Sequence, residues 1–422
     1  LGRMGLTISP ANPDVIYALI ESSSTGLYHS TNGGVSWSMI QGDQVGNRPF
    51  YYADIYADPS DERRLFNLYS MVDMSEDGGK SFRTILPYSG VHPDHHAFYI
   101  HPDDPNYLID GNDGGLNISR DGGKTWSFIN NLPLGQFYHI SVDMAIPYRI
   151  YGGMQDNGSW IGPSEAWHSG GIRNSDWQEI LFGDGFDVLP ATNDLTTAYA
   201  MYQGGSLSRI NLVTGNQTGV QPVQPDSMAL RFAWNAAVCA DPFASDGLYF
   251  GSQFVHHSTD KGNSWTVISP DLTSNDPEKQ KQAESGGLTI DATQAENHCT
   301  ILCISPNPER EGEIWVGTDD GRLQHTLDGG VTWKDHAVDI KRFPAGAWIP
   351  QIHISTHDPD EVYVVVNDYR RNNWQPYLYR TNDAGDTWVR LVMDGGDVTG
   401  HCLSVAQDPI SPSLLFLGTE EG

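Results

Sequence analysis

The sequence is poor in basic residues, in cysteine and in long apolar runs. Lysine and arginine together number 24 against 53 aspartate and glutamate residues, so the formal net charge of the 422-residue chain is −29. This charge argues against a nucleic-acid partner, because phosphates require a basic face. Four cysteines are too few for a disulfide scaffold, and we expect free thiols. Because no run approaches 18 consecutive apolar residues, we expect no membrane span in this sequence.

One eight-residue pattern, Ser/Thr-x-Asp/Asn-x-Gly-x-x-Trp/Phe, occurs six times. Its copies begin at Ser30, Ser75, Ser119, Ser258, Thr326 and Thr381. The first three copies follow one another at spacings of 45 and 44 residues. Four short strands and their turns need about 45 residues, so this period predicts the blades of a β-propeller rather than a helical solenoid.

The residues of the pattern indicate a tight hairpin. Its glycine tolerates a positive φ, and its Asp or Asn side chain can accept hydrogen bonds from the backbone of the turn. We therefore assign a structural role to the third residue of each copy, and we expect the aromatic residue to be buried at the blade edge. These third residues are Asn32, Asp77, Asp121, Asp260, Asp328 and Asp383. The pattern is the Asp-box, or BNR repeat.

Strand and turn signals divide the chain into nine units. They start near residues 4, 50, 95, 137, 184, 233, 298, 348 and 401. In the third unit we expect strands at 96–101, 107–110, 116–119 and 124–129. The fourth and fifth units lack the box. The sequence thus predicts an all-β protein built of four-stranded antiparallel blades, with both ends of the chain truncated and the last blade incomplete.

Propeller topology predicts where ligands bind. If the four strands of a blade are called A to D from the channel outward, the D–A and B–C connections share one face, and the Asp-boxes lie on the other. We call the first of these the mouth face. Its candidate ligand-binding residues are His92, Asp94, His95, His96, Asn112, Asp113, Gln155, Asp156, Asn157, Asn297, His298 and His401. The same segments also make good tight turns without any ligand.

Three of these residues are candidates for metal binding. His95 and His96 follow His92 in an H-x-x-H-H spacing, and Asp113 lies on a neighbouring connection. Calcium on carboxylate and backbone oxygens is as reasonable here as zinc, and histidines hydrogen-bonded within the channel are the alternative. The sequence therefore establishes no cofactor, with calcium as the candidate.

Glycoside hydrolysis requires two carboxylates, about 5.5 Å apart for retention or about 6.5–9.5 Å apart for inversion. The candidate catalytic residues on the mouth face are Asp113, Asp156, Asp184, Asp187 and Asp319. A sialidase also needs three arginines around the substrate carboxylate, and no such triplet recurs in channel-facing positions. We therefore do not expect a sialidase.

Several stretches resemble one group of proteins along nearly the whole chain. They are residues 92–97, 111–115, 130–138, 152–160, 268–277, 296–300 and 376–380. With the boxes, they are similar to bacterial BNR-repeat proteins of the sortilin/VPS10-like, glycosyl hydrolase-labelled group. The resemblance implies tandem propellers of about seven blades. Residues 1–182 would then hold about four blades of a first propeller, and 183–422 about five of a second. A single ten-bladed ring is the alternative.

The resemblance also implies a location outside the cytoplasm: extracellular, at the cell surface or periplasmic. Our first interpretation is a binding or scaffold protein that holds a protein, peptide or glycan at the channel mouth. The second is a glycoside hydrolase that uses two of the candidate carboxylates. The third is a structural surface protein without a pocket ligand.

Overall fold

The computed structural model describes residues 2–42, 45, 51, 53–132, 134–223, 228–287 and 298–422. The described chain is almost entirely strand and turn, and it divides into two compact units: unit 1 (residues 1–134) and unit 2 (residues 135–422). Eight sheets contain four antiparallel strands in chain order, and a ninth contains two. The predicted fold, β-propeller blades with Asp-box hairpins, is confirmed. No helix of the described residues is long and apolar enough to cross a membrane.

Unit 1 contains three blades. Blade 1 consists of β1 (Met4–Ile8), β2 (Ile16–Ile20), β3 (Gly26–Ser30) and β4 (Ser38–Gln41). Blade 2 consists of β5 (Asp54–Ala57), β6 (Leu65–Leu68), β7 (Val72–Ser75) and β8 (Arg83–Leu86). Blade 3 consists of β9 (His95–His101), β10 (Asp104–Asn112), β11 (Gly115–Ser119) and β12 (Ser127–Phe128).

Unit 2 begins with three four-stranded blades. Blade 4 consists of β13 (His139–Val142), β14 (Arg149–Met154), β15 (Gly158–Pro163) and β16 (Gln178–Leu181). Blade 5 consists of β17 (Val188–Pro190), β18 (Thr197–Tyr202), β19 (Ser206–Asn211) and β20 (Gln217–Gly219). Blade 6 consists of β21 (Val238–Ala240), β22 (Leu248–Gly251), β23 (Val255–Ser258) and β24 (Thr266–Val267).

Three further blades complete unit 2. Blade 7 consists of β25 (Ile301–Pro306), β26 (Ile314–Thr318), β27 (Leu323–Thr326) and β28 (Lys334–Asp335). Blade 8 consists of β29 (Trp348–Ile354), β30 (Val362–Asp368), β31 (Asn373–Thr381) and β32 (Val389–Arg390). Blade 9 has two strands, β33 (Cys402–Gln407) and β34 (Leu415–Thr419). Short 3₁₀ turns lie at Asn174–Asp176, Gln282–Gly287 and Tyr369–Arg371.

Neighbouring blades within each unit pack face to face through their second strands. Successive side chains of a strand point to opposite faces of its sheet. Leu65 of β6 accordingly packs in the cluster shared with blade 1, whereas Phe66 packs in the cluster shared with blade 3. In β30, Val364 faces blade 7 and Val365 faces blade 9. These strands are therefore buried on both sides, which explains their near-continuous apolar sequences.

Each Asp-box satisfies its own turn. In the third copy, Ser119 Oγ accepts the backbone N–H of Gly123 at 2.8 Å, and Asp121 Oδ1 accepts that of Thr125 at 2.9 Å. The Thr125 hydroxyl donates to Asp121 Oδ2 at 2.7 Å. These bonds from Thr125 lower the pKa of Asp121 to about 2. The first copy reverses one bond, because the amide of Asn32 donates to Ser36 Oγ at 2.8 Å.

The box aromatics are less buried than expected. Trp37 is 42% exposed, and the aromatic residues of the other five copies are half-buried. The expectation of burial holds only in part: the five half-buried rings pack against the core clusters, whereas Trp37 does not. In four copies its indole N–H donates to the carbonyl of the glycine at the fifth position of its own box, as Trp333 does to Gly330 at 3.0 Å.

Three other expectations concern the strand ends of blade 3, the state of the cysteines and the boundary between propellers. In blade 3 the second strand spans nine residues instead of 107–110, and Trp126 precedes the short fourth strand. All four cysteines are free thiols. Along the chain, the boundary between the compact units lies between residues 134 and 135, whereas the sequence predicts the break between two propellers between residues 182 and 183. The assignment of blades to two propellers stays a prediction.

Candidate functional site

Backbone hydrogen bonds show which connections share a face. The turn of every Asp-box donates a backbone N–H to the A–B connection of its own blade, as Gly78 does to the carbonyl of Arg63 at 2.8 Å. On the other side, B–C and D–A connections bond to each other. Asp113 donates to the carbonyl of Asp94 at 3.2 Å, and Gly204 donates to that of Trp234 at 3.0 Å. The polar connections of each unit therefore lie on the side away from the boxes.

In unit 1 the adjacent histidines of β9 point in different directions. His95 is buried, and its Nδ1 lies 2.8 Å from Asp110 Oδ1. Asp110 also accepts a bond from Asn117 Nδ2 at 3.2 Å, so its carboxylate is held within the blade. His96 is half-exposed and lies 3.3 Å from Asp113 Oδ1. His95 therefore pairs with Asp110, whereas His96 pairs with Asp113, so the three metal candidates do not share one site.

The other unit-1 candidates belong mainly to turns. Asn112 Oδ1 accepts the backbone N–H groups of Gly114 and Gly115 at 3.0 and 3.1 Å, and its amide donates to the carbonyl of His92 at 2.9 Å. Asp94 has a φ of 64°, which is a left-handed turn conformation. Among the described residues, no group of three or more His, Cys, Asp or Glu side chains is arranged to hold a metal ion. Calcium binding stays a prediction.

In unit 2 two candidate carboxyl groups meet. Asp184 Oδ1 accepts the backbone N–H of Asp156 at 2.9 Å, and the two side chains are hydrogen-bonded to each other. Burial of Asp184 and the neighbouring charge of Asp156 raise the pKa of Asp184 to about 6. A hydrogen bond from the indole of Trp234 acts in the opposite direction. Because the charge of Asp156 raises the pKa of Asp184, the two carboxyl groups do not ionise independently.

Tyr138 lies near this pair and near the B–C connection of blade 8 in the same unit. Its hydroxyl donates to Gln155 Oε1, and its ring packs against Phe186 with centroids 4.8 Å apart. Burial and the charge of Asp184 raise the pKa of Tyr138 to about 12, whereas the guanidinium of Arg370 lowers it. Arg370 lies on the B–C connection of blade 8, so blades 4 and 8 face one site. We define the unit-2 mouth as Tyr138, Asp156, Asp184, Tyr369 and Arg370.

The blade 8 connection carries stacked rings. The guanidinium carbon of Arg370 lies 4.5 Å from the ring centroid of Tyr369 and 5.0 Å from that of Trp348. Tyr369 stacks on the buried ring of His401 at 4.3 Å. Trp374 lies 6.0 Å from Tyr369 and is 49% exposed, so one aromatic face is open to solvent. This connection offers both positive charge and an aromatic surface.

The remaining unit-2 candidates occupy different places. Asp319 is buried and accepts both the N–H and the hydroxyl of Thr300, at 2.9 and 2.6 Å. Burial and the charge of Asp320 raise the pKa of Asp319 to about 7. Asp187 is one-third exposed and lies 3.8 Å from Nδ1 of His139. Asp319 is thus held as part of the fold, and Asp187 is accessible.

Two further candidates, His298 and Asn297, lie just before blade 7, and a third, Asn157, lies on blade 4. His298 is buried, with its ring edge against Trp348 at 5.2 Å. Burial lowers the pKa of His298 to about 4, and the charges of Lys279, Arg370 and Arg371 act in the same direction. Asn297 lies outside the described residues. On blade 4, Asn157 is half-buried and its amide donates to the carbonyl of Gln155 at 3.0 Å.

Sequence reasoning missed one residue of unit 1, Asp110, and two of unit 2, Tyr138 and Trp234. Asp110 reads as the end of a strand and gives no sign that it pairs with His95. Tyr138 and Trp234 read as apolar strand or loop residues, since their polar contacts lie on other connections. The unusually long B–C connection at 368–376, with its two arginines and a tryptophan, was the available signal for Tyr369 and Arg370.

Comparison with known proteins finds the Asp-box repeat, a curated relative and solved structures of similar fold. The BNR/Asp-box repeat model matches residues 118–128, which form the box hairpin of blade 3. A probable oligoxyloglucan-reducing end-specific xyloglucanase of Neosartorya fischeri is 23% identical over 354 residues, or 78% of this chain. The match covers 39% of that protein, so the chain spans about two fifths of the length of this curated relative.

Solved structures give weak global superpositions. The GH74 xyloglucanase of Xanthomonas campestris is 15% identical, with a TM-score of 0.31 over 97% of this chain and 70% of that one. The Cps50 (Swd1) β-propeller domain of Myceliophteria thermophila is 9% identical, with a TM-score of 0.45 over 78% of this chain and 94% of that one. The fold assignment therefore depends on the blades themselves. The chain carries the BNR/Asp-box repeat on blades of β-propeller type, and its sequence is similar to that of a probable xyloglucanase.

Proposed function

We propose that this protein is a secreted or cell-surface binding protein that holds a glycan at the unit-2 mouth. The observation that carries the proposal is the pairing of an acidic wall, Asp156 and Asp184, with an aromatic and cationic wall, Tyr369 and Arg370, around Tyr138. Sugars are bound by planar polar groups that meet their hydroxyls and by aromatic faces that meet their C–H surfaces. The exposed ring of Trp374 supplies such a face.

The proposal includes a cellular context taken from the sequence resemblance. A protein of the sortilin/VPS10-like group, placed outside the cytoplasm, would meet glycans, peptides and other proteins rather than intracellular metabolites. A glycan is favoured among these partners because the curated relative is named as a xyloglucanase.

Binding is tested by titrating neutral oligosaccharides, beginning with xyloglucan fragments, into the protein in a calorimeter. The variant Trp374→Ala should bind at least about tenfold more weakly, which corresponds to about 1.4 kcal/mol. Trp167→Ala is the matched control. Trp167 is 97% exposed on the C–D connection of blade 4, away from the mouth. Equal weakening by both variants, or no binding by any glycan, would refute the proposal.

The second candidate function is glycoside hydrolysis, which the xyloglucanase relative favours. A carboxyl group with the raised pKa of Asp184 is suited to act as a general acid. Release of reducing ends from xyloglucan that is abolished by Asp184→Asn would establish hydrolysis in place of simple binding.

A further inference from the structure

A cleft beside the unit-2 mouth gathers positive charge in an acidic chain. It measures about 340 Å³, and its walls include Lys279, Asp320, Arg322, Phe343 and Gly346. Arg371 lies at its edge, since Arg371 Nη2 donates to the carbonyl of Ala345, another wall residue, at 2.9 Å. We call this site the cationic cleft. With 24 basic against 53 acidic residues in the chain, such a grouping departs from the average surface.

The cations converge on one point. The positions of Lys279 Nζ and Arg371 Nη1 are 3.7 and 3.4 Å from where a β-carbon on Gly346 would lie. Glycine at this position has a φ of 74° and leaves the space open. The charges of Lys279, Arg370 and Arg371 also lower the pKa of the buried His298, and that of Asp320 acts in the opposite direction.

Nearby carboxylates neutralise this charge only in part. Arg371 Nε is paired with Asp368 Oδ1 at 2.6 Å, and Arg322 Nη1 with Asp335 Oδ2 at 2.9 Å. Both oxygens of Asp320 are already bonded, to the hydroxyl of Thr318 at 2.6 Å and to the N–H of Ser274 at 2.7 Å.

Lys279 and Arg370 behave differently from these paired cations. Within the described ranges, neither the Lys279 ammonium nor the Arg370 guanidinium has a carboxylate or hydrogen-bond partner. The Arg370 guanidinium lies over aromatic rings instead. His298 adds a third group, because both of its ring nitrogens are buried without a hydrogen-bond partner in the described part of the chain. The Lys279 ammonium, which lines the cleft, can therefore donate to an incoming oxyanion.

We propose that the cationic cleft binds the carboxylate of an acidic saccharide, a glycan that carries uronic acid residues. The proposal deepens the glycan-binding function proposed above and rests on it. A sugar is favoured over an acidic peptide because the cations adjoin the exposed ring of Trp374, through Tyr369, and the cleft itself has the ring of Phe343 in its wall. The carboxylate would pair with Lys279 Nζ and Arg371 Nη1, which both approach Gly346, while the sugar rings lie along these aromatic faces.

The test compares trigalacturonate with a neutral trisaccharide of glucose, using calorimetry on the full chain at low and high salt. Trigalacturonate should bind at least about tenfold more tightly, and the advantage should shrink as salt screens the charges. The variant Lys279→Gln should remove most of that advantage and leave neutral-sugar binding within about twofold. The matched control is Lys334→Gln, which removes one exposed charge from the same unit.

The outcomes separate this inference from the proposed function. Neutral and acidic trisaccharides that bind equally would overturn the inference alone. Binding of neither would overturn both. An aspartate-rich peptide that displaces trigalacturonate and binds more tightly would show that the cleft recognises an acidic peptide, which also overturns the inference. Loss of binding in Lys334→Gln to the same degree would show only a general charge effect.

Discussion

Replacing Asp184 with asparagine should stabilise the protein at neutral and alkaline pH. The folded environment raises the pKa of Asp184 from 3.8 to about 6, so ionisation of this group opposes folding. A shift of about two units corresponds to roughly 3 kcal/mol for the ionised form. Asparagine keeps an oxygen for the backbone N–H of Asp156 and adds an N–H that can donate to the Asp156 carboxylate. Allowing for imperfect replacement, we expect a gain of about 1–2 kcal/mol near pH 8.

The sign of the pH dependence follows from the direction of the shift. Because the folded pKa is the higher one, the contribution of Asp184 to stability is fully present below the unfolded pKa of 3.8. It is lost as the pH rises through about 6. The stability difference between Asp184→Asn and the parent should therefore shrink by about 2 kcal/mol between about pH 8 and about pH 4.5.

Urea unfolding followed by tryptophan fluorescence at both pH values measures this difference. Other titrating groups are common to both proteins and cancel in the comparison. Asp187→Asn, on the same connection, is the control for loss of one negative charge. A constant stability difference between Asp184→Asn and the parent at the two pH values, or a destabilised variant near pH 8, would refute the raised pKa of Asp184 beside Asp156.

Three shorter predictions follow from other parts of the molecule. Asp77→Ala should lower the unfolding temperature and cost about 1 kcal/mol of stability. Asp77→Asn should cost less, because Asn32 occupies the same position in the first box and holds its turn. Equal losses in the two variants would contradict the box geometry. Burial, then the charge of Lys334, lowers the pKa of His336 to about 4, so stability should fall from about pH 6.5 downward. His336→Phe should retain about 2 kcal/mol more than the parent near pH 5 in urea unfolding, and an unchanged acid response would count against this origin. Thr300→Val removes a hydroxyl donor from buried Asp319 and should cost about 2 kcal/mol, and a fully stable variant would show that the donor is not needed.

The blades could be predicted from sequence because their determinants are local. The box places Ser119, Asp121 and Thr125 within one turn, and each hydrogen bond joins residues at most four positions apart. The second strands were equally easy to predict, because burial of both faces gives them near-continuous apolar sequences. Strand ends were less accurate because backbone pairing in β10 continues through Gly111 and Asn112, which read as turn residues.

The candidate site could be predicted only in outline. Topology placed Asp156 and Asp184 on one face, but their contact depends on how two connections of blades 4 and 5 fold. Tyr138 and Arg370 are more than 200 residues apart in sequence, and nothing in either segment indicates the other. Likewise, the burial of His95 depends on Asp110 across a strand pair, whereas its neighbour His96 points outward. Sequence spacing cannot separate these two orientations for adjacent histidines.

The self-contained Asp-box has a consequence for how such chains change over evolution. A hairpin whose side-chain hydrogen bonds close within eight residues makes few demands on side chains elsewhere, so a whole blade can be duplicated, deleted or exchanged as a unit. Blade 6 is an exception, because the indole of Trp265 donates to the carbonyl of Val220, next to the box-free blade 5, at 2.7 Å. Blades 5 and 6 would therefore be inherited together, and a chimaera that separates them should need a compensating change at that junction.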